Sequence, residues 1–186
     1  YLGSERDLVL LAAPEAVMTP GRVQAYALGC GFDEDWLVSD QASARHTREL
    51  LQSAFESDLP VLVDAGALPT YADGWRGRTA PTVLTPHAGE AAALLTRLGV
   101  PTDRAQVTRE PLATAQALTE ATGAIVVLKG ATTLISAPGR PTRSQSDGPA
   151  WLATAGTGDV LAGVIGALLA SGLDAPDAAA LGVLVH

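Results

Sequence analysis

At 186 residues, 47% of them apolar and only 4% aromatic, the chain can bury one core built mainly of Ala, Val and Leu, which excludes a disordered segment. Its formal charge is −8, with no basic patch of the kind that neutralises a nucleic-acid backbone, so nucleic acid is excluded as a partner. One cysteine, Cys30, rules out an intrachain disulfide and fits a reducing, cytoplasmic compartment, and the longest apolar stretch, 160–170, holds two glycines and is too short to span a bilayer.

No basic-then-apolar leader opens the chain, and it begins at Tyr1 rather than Met, so an N-terminal piece is expected to precede it. Residues 7–12 read as a buried strand: short, apolar and followed by Pro14. Residues 25–28 read as a second strand, ending in the turn Gly29-Cys30-Gly31. Cys30 has no activating base beside it in sequence and reads as a buried or turn thiol rather than a nucleophile. From 33 to 55 the spacing is helical, with Trp36, Leu37, Leu50, Leu51, Ala54 and Phe55 as core positions.

Residues 60–63 form a third strand, closed by Asp64-Ala65-Gly66. A fourth runs over 82–84. Thr85-Pro86 then looks like a helix start, with Thr as cap and Pro in the first turn. The helix itself covers 90–98 and stops at Gly99. A further helix spans 103–121 and is expected to split at Pro111. Strands follow at 125–128 and 133–135, and the Pro-, Gly-, Ser- and Arg-rich 138–149 is a loop or hairpin. Gly156-Thr157-Gly158 opens a helix to Ala170 that Gly172 ends, and 175–186 starts another.

Strands alternating with helices predict an α/β fold, a mostly parallel sheet covered on both faces, in a single domain over 1–186 without internal repeats. Ligands of such sheets bind at the carboxyl ends of the strands. The turn at Gly29 and Gly31, Asp64, the His87/Glu90 pair and Lys129 all fall there, and that shared placement outweighs any one motif.

Ala155-Gly156-Thr157-Gly158-Asp159 precedes an apolar helix. Small residues let a backbone approach a ligand, and the first N–H groups of a helix have no internal partners. The segment therefore suits a phosphoryl group in flight, with Asp159 placed to take a proton from an attacking hydroxyl. It is equally a plain turn with Asp159 as a helix-start charge. No Lys-Ser/Thr follows the glycines, so it is not a Walker A loop.

Lys129 is the chain's sole lysine and sits in Lys129-Gly130-Ala131-Thr132-Thr133, able to reach phosphate oxygens from a strand end or to stand there as a surface charge. His87 and Glu90 lie three apart on one helical face. Glu90 can hold a hydrated Mg²⁺ and His87 can contact substrate, or the two form a cap. Asp64 is a turn former or a ligand contact.

Three segments in order, Thr85-Pro-His-Ala-Gly-Glu90, Val127-Leu-Lys-Gly-Ala-Thr132 and Ala153-Thr-Ala-Gly-Thr-Gly-Asp-Val-Leu-Ala-Gly163, resemble the ADP/ATP-dependent NAD(P)H-hydrate dehydratase family. Leu28-Gly-Cys-Gly31 and Val63-Asp-Ala-Gly-Ala67 add weaker support. The resemblance implies a ribokinase-like three-layer α/β/α fold. It also implies repair of hydrated NADH and NADPH: a nucleotide phosphorylates the ring hydroxyl and phosphate then leaves.

By that resemblance Asp159 is the base and Gly156, Thr157 and Gly158 form the anion cradle. Lys129, Gly130, Ala131, Thr132, Thr133 and Gly158 form the nucleotide site. Gly31, Asp64, His87 and Asp159 face the hydrate, and Glu90 holds Mg²⁺ through water. ADP is the expected donor, with ATP the alternative. The resemblance admits a homo-oligomer and a fused or separate NAD(P)H-hydrate epimerase.

Asn usually stands where His87 does in relatives that phosphorylate vitamins or sugars, the main competing reading. A nucleotide-binding fragment without catalysis is the other. This chain departs from the family pattern at Cys30, where Pro is usual, and at Asp147-Gly148-Pro149, where Gly-Asn-Pro is usual. The family's first strands and its C-terminal continuation have no counterpart, so truncation at both ends is expected.

Overall fold

The computed structural model describes residues 6–19 and 21–186. Six strands form one sheet in chain order: β1 (Tyr26–Leu28), β2 (Val61–Val63), β3 (Thr82–Leu84), β4 (Ile125–Leu128), β5 (Thr133–Ser136) and β6 (Arg143–Gln145). The first four are parallel, and β5 and β6 run antiparallel at the end. The helices are α1 (Arg6–Ala12), α2 (Glu34–Leu37), α3 (Ala42–Glu56), α4 (Leu68–Gly74), α5 (Ala88–Arg97), α6 (Arg104–Arg109), α7 (Pro111–Thr122), α8 (Thr157–Ala170) and α9 (Ala175–Val185).

Side chains on a strand alternate between faces, and here both faces are apolar. Val61, Val63, Leu84, Val126 and Leu128 point to one side, into a core with Leu51 and Phe55 of α3, Leu68 and Tyr71 of α4, Leu94 of α5 and Leu118 of α7. Leu62, Val83, Ile125 and Val127 point to the other, against Leu161, Ile165 and Leu169 of α8 and Ala178, Ala179 and Val183 of α9. Each fully buried Val, Leu or Ile contributes roughly 1.5–3 kcal/mol of transfer free energy.

The layering has a topological cause. Parallel strands laid down in order, joined by crossovers of one hand, place all their connecting helices on one face. The other face is left to α8 and α9, which follow the last strand. The first turn of α8 is thereby returned to the carboxyl end of the sheet.

The structure confirms the α/β, mostly parallel expectation and corrects three details. Residues 7–12 are helical rather than a buried strand, with Leu8 63% and Leu11 84% exposed. A short apolar run fits either period, and no neighbouring strand takes this one up. The helical stretch 33–55 is two helices, with Arg48 donating to the Leu37 and Ser39 carbonyls at the break. The expected cap at Thr85-Pro86 is displaced to His87: Pro86 stays extended and its carbonyl accepts the Lys129 N–H at 2.8 Å. The hairpin reading of 138–149 also stands: the segment contains β6, paired antiparallel with β5. The split at Pro111 stands as expected, between α6 and α7.

Candidate active site

Gly29 ends β1 at φ +112, and a Cβ there would lie 1.8 Å from the Asp64 carbonyl oxygen. Only glycine fits, so the turn 29–31 lies directly against the end of β2. Asp64 is 2% exposed, and its Oδ1 accepts from Lys129 Nζ at 2.9 Å. The two residues close β2 and β4, with β3 between them. Two strand spacings are about 10 Å, a gap that a long stem such as lysine's crosses. The ammonium also lies 3.9 Å from Glu90 Oε2.

The turn before α8 meets this pair. A Cβ on Gly158 would stand 3.4 Å from Lys129 Nζ and 3.9 Å from Asp64 Oδ2. Gly156, at φ +91, caps the helix, and its carbonyl accepts from the Asp159 and Val160 N–H groups. Among the described residues the Gly158 N–H has no acceptor, so a donor in the positive end of the helix is left without an internal partner close to the ion pair. Cys30 Sγ and carboxylate oxygens of Asp64 and Asp159 all lie within 4.8 Å of one another.

Of the residues expected at the strand ends, Asp64, Glu90 and Lys129 thus meet in one place, and Gly158 and Asp159 join them from the start of α8. His87 is the N-cap of α5. Its Nδ1 accepts from the Gly89 and Glu90 N–H groups at 3.0 and 3.1 Å, while the Glu90 carboxylate accepts the His87 N–H at 2.7 Å. The capping reading is realised, and it leaves the ring's Nε2, 3.6 Å from Glu90 Oε1, as the nitrogen that can meet a ligand. Gly31, at φ +88, is exposed beside Cys30. Gly130, Ala131 and Thr132 are exposed in the turn between β4 and β5, and no hydrogen bond joins them or Thr133 to the Gly156 turn among the described residues.

Glu90 is a carboxylate beside Lys129, and its Oε1 lies no nearer than 3.6 Å to the His87 ring. That fits a hydrated Mg²⁺ held mainly by substrate phosphates. A recess of about 390 Å³ lies elsewhere, between α7 and the turn after β5 at the opposite end of the sheet. Convergence of ionisable groups, rather than size, marks the site.

Cys30, read from sequence as a buried or turn thiol, is an exposed turn thiol here, and it joins the cluster although no site role was assigned to it. It sits at a strand's carboxyl end between two positive-φ glycines, the placement that singled out the other site residues. Although solvent reaches it, its thiol is pushed up to about 12, first by burial against the surrounding protein, then by a hydrogen bond to Asp159 and by the Asp159 and Asp64 charges. The stability contributed by the neutral thiol is complete below its ordinary value of 9.0 and is lost as pH rises toward 12.

At pH 7.5 iodoacetamide should therefore alkylate Cys30 roughly 30- to 100-fold more slowly than free cysteine. The thiolate population falls about a thousandfold, and the greater nucleophilicity of a basic thiolate recovers about half of that on a logarithmic scale. A rate equal to that of free cysteine would contradict this electrostatic picture, because the side chain is accessible.

A mostly parallel sheet with this carboxyl-end cluster, covered by helices on both faces, is a ribokinase-like α/β fold. The chain belongs to the NAD(P)H-hydrate dehydratase family, whose profile matches residues 9–186. It is 46% identical over 190 residues to the bifunctional NAD(P)H-hydrate repair enzyme Nnr of Mycobacterium tuberculosis, covering 97% of this chain and 36% of that protein. It is 34% identical to the ADP-dependent (S)-NAD(P)H-hydrate dehydratase of Neisseria meningitidis, covering 96% of this chain and 58% of the relative. The ADP/ATP-dependent NAD(P)H-hydrate dehydratase of Bacillus subtilis, co-crystallised with ATP/Mg²⁺, superposes with a TM-score of 0.74 at 27% identity, over 96% of this chain and 63% of that one. The chain thus spans about a third of the bifunctional mycobacterial relative and less than two thirds of the other two.

Proposed function

We propose that this chain catalyses the nucleotide-driven dehydration of (S)-NAD(P)H-hydrate in the cytoplasm, with ADP as the phosphoryl donor and Mg²⁺ as its counter-ion. Asp159 takes the proton of the ring hydroxyl as its oxygen bonds to the terminal phosphorus of ADP and AMP departs. The Gly156–Gly158 turn and Lys129 stabilise the migrating phosphoryl group. The phosphate ester then loses inorganic phosphate, pushed out by the ring nitrogen's electron pair to leave an iminium ion, and loss of a proton from the adjacent ring carbon to water or the departing phosphate restores the dihydropyridine. Hydroxide is a poor leaving group and phosphate a good one, which is why a nucleotide is spent on a dehydration.

Lys129, Gly130, Ala131, Thr132 and Thr133 hold the nucleotide, and Gly31, Asp64 and the His87 ring face the hydrate. Glu90 would hold the hydrated Mg²⁺, whose chemistry is to neutralise phosphate charge. An epimerase, fused or separate, is the natural partner, because the Mycobacterium tuberculosis relative is named bifunctional.

The observation that carries this reading is the meeting of Asp159, Gly158, Lys129 and Asp64 at one sheet edge. The test is incubation of NADPH hydrate with ADP, Mg²⁺ and protein while NADPH absorbance is followed. Recovery of absorbance that requires ADP supports the proposal. A vitamin or sugar kinase, or a non-catalytic nucleotide binder, would leave the trace flat.

A further inference from the structure

α9 approaches α8 through Gly182, where a Cβ would stand 2.4 Å from Ile165 Cγ1. Ile165 is fully buried, so there is little room for it to give way. The close approach carries the end of α9 to the first turn of α8, where His186 Nε2 lies 2.9 Å from the Thr157 carbonyl oxygen. A carbonyl only accepts, so Nε2 bears the proton and donates.

That carbonyl belongs to the same planar peptide unit as the Gly158 N–H, and in a trans peptide the two point in opposite directions. Fixing the oxygen therefore fixes the direction of the N–H. Within α8 the same oxygen accepts the Leu161 N–H, so the His186 ring is a second donor on it, at the one end of the helix where the chain enters through Gly156 at φ +91. Thr157 Oγ1, at 2.7 Å from the Leu152 carbonyl and 2.9 Å from that of Thr154, ties the side chain to the preceding turn.

We infer that His186 is a positioning residue for the phosphoryl cradle: its ring N–H holds the Thr157 carbonyl outward and so aims the Gly158 N–H at the ligand. The inference rests on the proposed reading that this turn receives phosphate. His186 touches neither substrate nor nucleotide.

The experiment compares His186→Ala, which removes the donor, with His186→Gln, whose amide N–H can replace it. Turnover of the hydrate should fall on the order of tenfold in the alanine variant, with KM for ADP raised a few-fold and Tm nearly unchanged, and both should return in the glutamine variant. Independently of turnover, the Gly158 amide proton resonance should move downfield on titration with ADP and Mg²⁺ in wild type and in His186→Gln, and move clearly less in His186→Ala.

Should the alanine variant lose its fold, His186→Met fills a similar volume without a donor and takes its place. An ADP-induced Gly158 shift of the same size without the donor overturns the inference. So does a glutamine variant as impaired as alanine. A His186-dependent shift in a protein that never restores NADPH would sink the proposed reaction and leave this inference standing.

Discussion

Asp159→Asn is expected to lower hydrate turnover by about 10²–10⁴-fold, the usual contribution of a positioned general base, while ADP still binds with affinity within a few-fold of wild type. The amide has nearly the shape of the carboxylate and cannot take the hydroxyl proton. The groups assigned to the nucleotide, Lys129 and the Gly158 N–H, are untouched by the change. Stability should fall only slightly, by about 0.3–1 kcal/mol, because the lost charge was favourably placed in the first turn of α8. Rapid-quench turnover beside ADP titration calorimetry separates the two effects. Full activity in the variant would remove the base assignment, whereas parallel loss of ADP binding would make Asp159 a nucleotide contact. Because Asp159 helps to hold the Cys30 thiol protonated, the same variant should alkylate faster at Cys30.

Much of the architecture was legible because parallel strands buried on both faces carry a plain local signal. Val61 to Val63, Thr82 to Leu84 and Ile125 to Leu128 read as strands, and they are strands. What failed depended on distant chain. Thr85 is a better helix cap than His87 by residue type, but Pro86 is held extended by the Lys129 N–H, a contact 43 residues away that no window includes. Residues 7–12 carry a pattern common to strands and helices, and only the sheet decides. The site was legible as a place, the strand ends, and not as a set of pairs. Lys129 and Asp64 are 65 residues apart, and sequence gave each its own role before the fold joined them. His186 was missed for the same reason, and Cys30, read only as a turn thiol, gains its place beside Asp64 and Asp159 from neighbours that only the folded chain supplies.

Lys129→Met should cost about 2–3 kcal/mol of stability. Removing one partner of a buried ion pair costs about 3–5 kcal/mol, and the lower figure allows for water reaching an ammonium that is about one-fifth exposed. The cost comes from Asp64, whose carboxylate is 3% exposed and would be left without its cation. Asp64→Asn alone should cost less, about 1 kcal/mol, since the lysine keeps Glu90 and solvent. If this account holds, the double variant Asp64→Asn/Lys129→Met returns to within about 1 kcal/mol of wild type, a coupling that urea unfolding of the four proteins would measure. ADP affinity should follow the opposite rule: lost with the lysine and not recovered in the double variant, because Asp64→Asn restores burial without restoring a cation for phosphate. Additive stability changes would mean that the pair is not coupled in solution. Recovered ADP binding in the double variant would mean that Lys129 serves the fold alone, and the nucleotide would then need another cation.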